Sequence, residues 1–174
     1  MMKNKNFIPV LSAMMFSFLI VSCEKDPDVS GGEYRYRDGK LYISQEAAVE
    51  EILNSMVYVE GGTFQMGATA EQGSDSFSEE RPVHTVTLSD FYIGATEVTQ
   101  KQWKAIMGSN PSYFKGDNLP VENVSWDKCQ EFIQKLNELT GRTFRLPTEA
   151  QWEYAARGGN KSNGYKYAGG NSVG

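Results

Sequence analysis

Few side chains in this 174-residue sequence carry metal-binding or nucleophilic chemistry: two cysteines, Cys23 and Cys129, and a single histidine, His84. A structural zinc site needs four cysteine or histidine ligands, and a facial-triad iron site needs two histidines and a carboxylate. His84 therefore predicts neither kind of site, and we interpret it as a hydrogen-bonded strand residue. Because Cys23 lies in a leader region, no disulfide framework is expected within the domain.

Cys129 falls in the middle of a predicted helix whose apolar residues recur at helical spacing. Free cysteine is among the most buried residue types, so we interpret Cys129 as a small buried apolar residue. The alternative is a reactive thiol. That chemistry requires a neighbour that stabilises the thiolate, and the sequence identifies none.

Two glutamates, Glu149 and Glu153, lie four residues apart on another predicted helix. Residues at this spacing share a helix face, which raises the question of paired-carboxylate acid–base chemistry. Such chemistry requires burial and a raised pKa. We expect a solvated helix face instead, on which Arg145 and Arg157 can neutralise the two carboxylates in a surface or half-buried network.

Cys23 closes an apolar run that extends from Phe7 to Val21 and follows Lys3 and Lys5. The run has the length of a signal-peptide core and is short for a membrane span. A small residue directly before this cysteine is similar to the lipobox of bacterial lipoproteins. That similarity predicts a lipid-modified Cys23 that anchors the chain to an envelope membrane, with the outer membrane as the expected site. The alternative is an ordinary signal peptide with an incidental cysteine.

Length and charge limit the remaining possibilities. A chain of this size, with 40% apolar and 12% aromatic residues, suits one packed domain plus a tail. The formal net charge is −5, and the lysines and arginines are scattered rather than clustered. Nucleic acid is therefore not expected as a partner, because binding to phosphates requires a basic patch.

The elements that must position these side chains can be read from capping residues and turn signals. Helix N-caps are expected at Ser44, Thr99, Ser125 and Thr148. Met56–Glu60 and Thr63–Met66 flank a glycine pair and predict a β-hairpin. A bend is expected at Asp90, between two further extended runs.

The last predicted helix has the strongest local signals. Pro147 holds the preceding residue extended, and Thr148 with Gln151 has the spacing of a capping box. The helix is expected to end at Gly158 and the glycine after it. Residues at i, i+3 and i+4 make one apolar face, which suggests a helix packed closely against another backbone: Trp152, Ala155 and Ala156.

Four ordered stretches together resemble the formylglycine-generating enzyme family, also called the sulfatase-modifying factor family. They are MVYVEGGTFQMG (56–67), ERPVHTVTLSDFYIGATEVTQKQW (80–103), LPVENVSWDKCQEFIQKLNELTG (119–141) and RLPTEAQWEYAARGG (145–159). The resemblance covers the chain from about Met56 to the end and corresponds to the N-terminal half of such a domain.

The resemblance implies a loop-rich α+β fold related to C-type lectins, with short strands and three or four short helices. It also implies chemistry, because family members oxidise a substrate cysteine to formylglycine with a copper-binding cysteine pair and calcium sites nearby. Thiolates suit Cu(I). The ligands for both metals are expected beyond Gly174. No catalytic, cofactor or metal residue is therefore carried over to this sequence.

These observations predict three segments: a lipoprotein signal peptide over 1–23, a tether with one short helix over 24–55, and a partial family domain over 56–174. The first functional hypothesis is a non-catalytic binding or accessory lipoprotein. The second is part of an oxidase that converts a sulfatase cysteine to formylglycine. A third is a component of an envelope assembly for gliding or secretion.

Overall fold

The structure is a computed structural model that describes residues 20–21, 34–37, 40–70 and 78–164. The helices are α1 (Gln45–Asn54), α2 (Gln100–Met107), α3 (Trp126–Thr140) and α4 (Glu149–Ala156). The strands are β1 (Ile20–Val21), β2 (Tyr34–Arg37), β3 (Lys40–Ile43), β4 (Met56–Val59), β5 (Gly62–Met66), β6 (His84–Leu88), β7 (Phe91–Gly94) and β8 (Phe144–Arg145). The α+β prediction is confirmed, and Cys23 lies outside the described residues.

The predicted caps are confirmed at all four helices. In each case the hydroxyl oxygen of the cap accepts a hydrogen bond from the N–H three residues later: Ser44, Thr99, Ser125 and Thr148. The caps of α2 and α4 are complete capping boxes, because a glutamine side chain returns to the cap N–H. Local sequence therefore determines where these helices begin.

The main hydrophobic core lies where α1, α2 and α3 meet. Trp103 of α2 is 4% exposed, and its ring stacks on Phe132 of α3 with centroids 5.0 Å apart. Ala48 and Ile52 of α1 are also buried in this cluster. The helix that was expected within the tether thus packs inside the domain.

Helix α3 carries the longest apolar stripe, and the two ends of this stripe are exposed. Cys129, Phe132 and Leu136 are buried, whereas Trp126 is 57% exposed and Leu139, at the other end, is 46% exposed. The reason is length. Helix α3 has 15 residues against 8 in α2 and 10 in α1, so both ends of its stripe extend past the helices that cover its centre.

The predicted hairpin between β4 and β5 is wrong. Strand β4 pairs with β7, and β5 pairs with β6, both antiparallel. The two pairs belong to different sheets, because the chain bends between Val59 and Gly62 and again between Leu88 and Phe91. The glycine pair therefore marks a bend in a long two-stranded ribbon rather than a hairpin turn.

Asp90 holds this bend, in agreement with the sequence prediction. One carboxylate oxygen accepts from the Tyr58 hydroxyl at 2.6 Å, and the other accepts from the Gly61 N–H at 2.8 Å. These two bonds, led by the Tyr58 bond, lower the pKa of Asp90. A Cβ at Gly61 would lie 2.3 Å from the Leu88 carbonyl oxygen, so only glycine fits there.

The larger sheet has four strands in the order β4–β7–β1–β8. Its second and fourth strands, β7 and β8, pair with β1 rather than with each other. Phe91, Ile93 and Phe144 extend from these flanking strands into the buried interior. Among the described residues, no helix has both the length and the apolar character needed to cross a membrane.

Candidate binding groove

Helix α4 buries other residues more fully than those of its apolar face. Gln151 and Tyr154 are buried, at 8% and 2% exposure. The apolar face, formed by Trp152, Ala155 and Ala156, is partly exposed and lines an open groove. The apolar face is therefore only partly buried, and the reason lies in the polar contacts of the two buried residues.

Tyr154 ties α4 to the bent ribbon. Its hydroxyl donates toward the Glu60 carbonyl at 3.2 Å and the Asn160 side-chain oxygen at 2.8 Å, and its ring lies 5.2 Å from Phe64. Burial is the main cause that raises the pKa of this phenol. At the start of the helix, Gln151 accepts from Arg145 and from the Thr148 N–H. Together these contacts fix the rotation of the helix about its axis.

Glu153 is not on a solvated face as expected, whereas its expected neutralisation by Arg157 in a half-buried network is confirmed. Its carboxylate accepts from the Gly67 N–H at 2.9 Å and forms an ion pair with Arg157 at 2.8 Å. Arg157 also donates to the Gly67 carbonyl at 2.7 Å. Burial raises the pKa of Glu153, although the bonds from Gly67 and Arg157 act in the opposite direction. This network joins α4 to the end of β5, while Glu149 remains exposed.

The groove has a volume of about 770 Å³. Its floor is formed by β4 and β7, one wall by α4, and the opposite rim by the segments around residues 94–99 and 118–120. Apolar side chains dominate the lining: Val57, Val59, Ile93, Pro120, Trp152, Ala155 and Ala156. Val57 is 48% exposed, so a large apolar surface on the floor faces solvent. Such a site suits an apolar ligand or a polypeptide surface rather than a charged substrate.

Gln100 holds the rim of this groove in place. It is 1% exposed, and its amide nitrogen donates to the Phe114 and Pro120 carbonyls at 2.8 and 3.1 Å. Its amide oxygen accepts from the Asn110 side chain at 2.8 Å and from the Gly116 N–H at 3.1 Å. One side chain thus links four points of the loop after α2. A glutamine in a first helical turn gives no sequence signal for this role.

The sequence-predicted residues with reactive chemistry do not meet at the groove. Cys129 is buried in helix α3, and this burial raises the pKa of its thiol, as expected for a structural cysteine. His84 lies in strand β6, where its Nδ1 donates to the Pro82 carbonyl at 3.1 Å. Both structural interpretations are confirmed.

The described residues do not fit the copper centre that the family resemblance implies. The copper centre that the family resemblance implies uses a cysteine pair, and the described part of the chain contains Cys129 as its single cysteine. Within the same residues, no group of three or more histidine, cysteine, aspartate or glutamate side chains could hold a metal ion. No step through a metal follows from these residues.

Comparison with known proteins agrees with the architecture. The sequence matches the sulfatase-modifying factor enzyme 1-like domain over residues 43–173. It is 38% identical over 155 residues to a chaperone protein LppX of Paenibacillus barcinonensis, covering 70% of this chain and 51% of that protein.

A formylglycine-generating enzyme of Thermomonospora curvata is 30% identical over 163 residues, covering 63% of this chain and 51% of the relative. An inactive C-alpha-formylglycine-generating enzyme 2 of Bos taurus is 27% identical over 165 residues, covering 65% of this chain and 52% of the relative. This chain spans about half the length of these curated relatives. It belongs to the sulfatase-modifying factor family, also known as the formylglycine-generating enzyme family.

Proposed function

We propose that this chain is an envelope lipoprotein whose formylglycine-generating-type domain acts as a binding or accessory module. The open apolar groove beside α4 carries the proposal, because its lining suits contact with an apolar partner surface. The names of two relatives are consistent with it, since one is called a chaperone protein and another an inactive member of the family. The proposed membrane anchor is a lipid on Cys23.

The groove can be tested with an uncharged fluorescent probe, N-phenyl-1-naphthylamine. We expect saturable binding to the purified protein, and a loss of about 10-fold in affinity for Ala156→Trp, which fills the groove. Ala150→Trp is the matched control, because Ala150 is on the same helix but outside the groove lining. Equal affinity in all three proteins would contradict binding at this site.

The lipid anchor can be tested by labelling growing cells with an alkyne fatty acid. We expect the label on the wild-type protein and none on Cys23→Ala, because the lipid is attached through the thiol of that residue. Intact mass of the membrane-extracted protein then gives both the lipid and the start of the mature chain. Label retained on Cys23→Ala, or none on the wild type, would argue for an ordinary signal peptide.

The second candidate is a part in formylglycine generation, favoured by the relatives that bear the name of that enzyme. This candidate is distinguished from the accessory role by incubating the purified chain with copper, oxygen and a cysteine-containing sulfatase peptide. We expect no formylglycine product, because the cysteine pair that the family resemblance implies is not among the described residues. Mass-spectrometric detection of turnover would overturn the accessory role.

A further inference from the structure

The β2–β3 hairpin brings cationic residues together on one of its faces. In the antiparallel register of the two strands, Arg35 lies opposite Tyr42 and Arg37 lies opposite Lys40. Residues directly opposite one another, and residues two apart along a strand, belong to the same face of such a pair. All four positions of this face are therefore cationic or aromatic.

Helix α2 adds a further cation beside this face. Tyr42 is 37% exposed, and the Nζ of Lys104, an exposed residue, lies 4.6 Å from the centre of its ring. A cation at this distance is attracted to the negative face of a tyrosine ring. Ile43, on the other face of the hairpin, is partly buried against the main core, so the face with Tyr42 is the outer one. We call this outer surface the basic face; it comprises Arg35, Arg37, Lys40, Tyr42 and Lys104.

Charge and chain position together select a partner for the basic face. The chain has a formal net charge of −5, so a cationic surface on it favours an anionic partner. Ten residues separate Cys23, the proposed lipid attachment site, from Tyr34 at the start of β2. A connection of that length spans at most about 40 Å when fully extended. A lipid on Cys23 therefore keeps the basic face within reach of a membrane surface at all times, which favours a membrane over a soluble polyanion.

We propose that the basic face binds anionic phospholipid headgroups of the membrane that holds the lipid anchor. Lysine and arginine residues near an anionic membrane are attracted to its surface potential, and a lipid chain and a basic patch act together as two membrane contacts. The second contact determines which side of the domain lies against the bilayer. The inference rests on the lipid at Cys23 included in the proposed function and goes beyond it by assigning a protein surface to the membrane.

Lysine acetylation of the lipoprotein in vesicles tests this contact. The protein is extracted from its membrane, its lipid is verified by intact mass, and it is reconstituted in phosphatidylcholine vesicles with or without phosphatidylglycerol. In low salt we expect Lys40 and Lys104 to react about 5-fold more slowly on the anionic vesicles, because the headgroups cover them. High salt should remove the difference by screening. Lys161, an exposed residue after α4, is the internal reference and should react equally on both vesicles.

The double variant Arg35→Gln/Arg37→Gln should lose the slower reaction at Lys104. Its charge-matched control is Lys128→Gln/Lys135→Gln on α3, which should retain it. Equal acetylation of wild-type Lys40 and Lys104 on both vesicles, or equal slowing at Lys161, would overturn the contact.

Two further outcomes separate this inference from its alternatives. Slowing by soluble heparin as strong as that by anionic vesicles would assign the basic face to a soluble polyanion and overturn the membrane contact. An extracted protein without lipid would overturn the anchor and this inference together. Lipid on the protein without slower acetylation would overturn this inference alone and leave the anchor standing.

Discussion

Trp103→Ala should lower the free energy of unfolding by about 3–5 kcal/mol, the usual cost of truncating a large buried aromatic side chain to alanine. Trp103 is 4% exposed and stacks on Phe132 with ring planes only 2° from parallel. The substitution removes the largest side chain of the α1–α2–α3 core and leaves a cavity that fixed helix backbones cannot close. Urea denaturation followed by circular dichroism measures the change through the shift in midpoint at constant slope.

Trp126→Ala is the matched control, since it makes the same chemical change at a position that is 57% exposed. Substitutions at exposed positions usually change the free energy of unfolding by no more than about 0.5 kcal/mol. Sequence periodicity alone treats Trp103 and Trp126 as equivalent helix-stripe tryptophans. Equal destabilisation by the two substitutions would therefore contradict the packing described for α3.

Gln100→Ala should have the second large effect and lower the free energy of unfolding by about 2–4 kcal/mol. The amide of Gln100 satisfies two carbonyls and two donors from a loop that spans residues 110–120. Its removal leaves partly buried polar groups without a partner, and each such group costs about 1–3 kcal/mol unless water reaches it. Entry of water into the loop offsets part of that sum. The same denaturation measurement applies, together with faster amide exchange at Gly116.

The control is Gln134→Ala, which removes an exposed glutamine whose side chain donates to Glu138 within the same helix. We expect it to change stability by less than about 0.5 kcal/mol. Gln100→Ala should also weaken binding of the neutral dye to the groove, because Pro120 forms part of the lining. A stable Gln100→Ala variant with unchanged exchange in the loop would show that Gln100 does not hold the rim.

The helix starts could be predicted from sequence because capping is a short-range interaction. Each cap hydroxyl bonds to an N–H three residues away, so Thr99 or Thr148 has the same partner in any tertiary surroundings. The αL glycines after α2 and α3 are likewise local, with φ of +81° and +67°. The bend at Asp90 could also be predicted from sequence, although the bonds of Asp90 to Tyr58 and Gly61 connect different strands.

Strand pairing and helix rotation depend on residues far apart in the sequence. A glycine pair between two β-rich runs predicts a hairpin, yet β4 pairs with β7 about 35 residues later, because the longer ribbon buries Phe91 and Ile93 against Tyr154. Periodicity ranks Trp152 above Gln151 and Tyr154 as a core residue. The structure reverses that order, because Tyr154 finds polar partners at Glu60 and Asn160.

The sequence by itself thus determined the family, the α+β class, the helix starts and the structural roles of Cys129 and His84. Only the tertiary structure decided that the apolar face of α4 lines a groove, that Glu153 is held in a half-buried network, and that Gln100 organises the rim. The physical reason is the distance along the sequence over which each kind of interaction acts. Caps and turns are set by neighbours within a few residues, whereas burial is set by which distant surfaces meet.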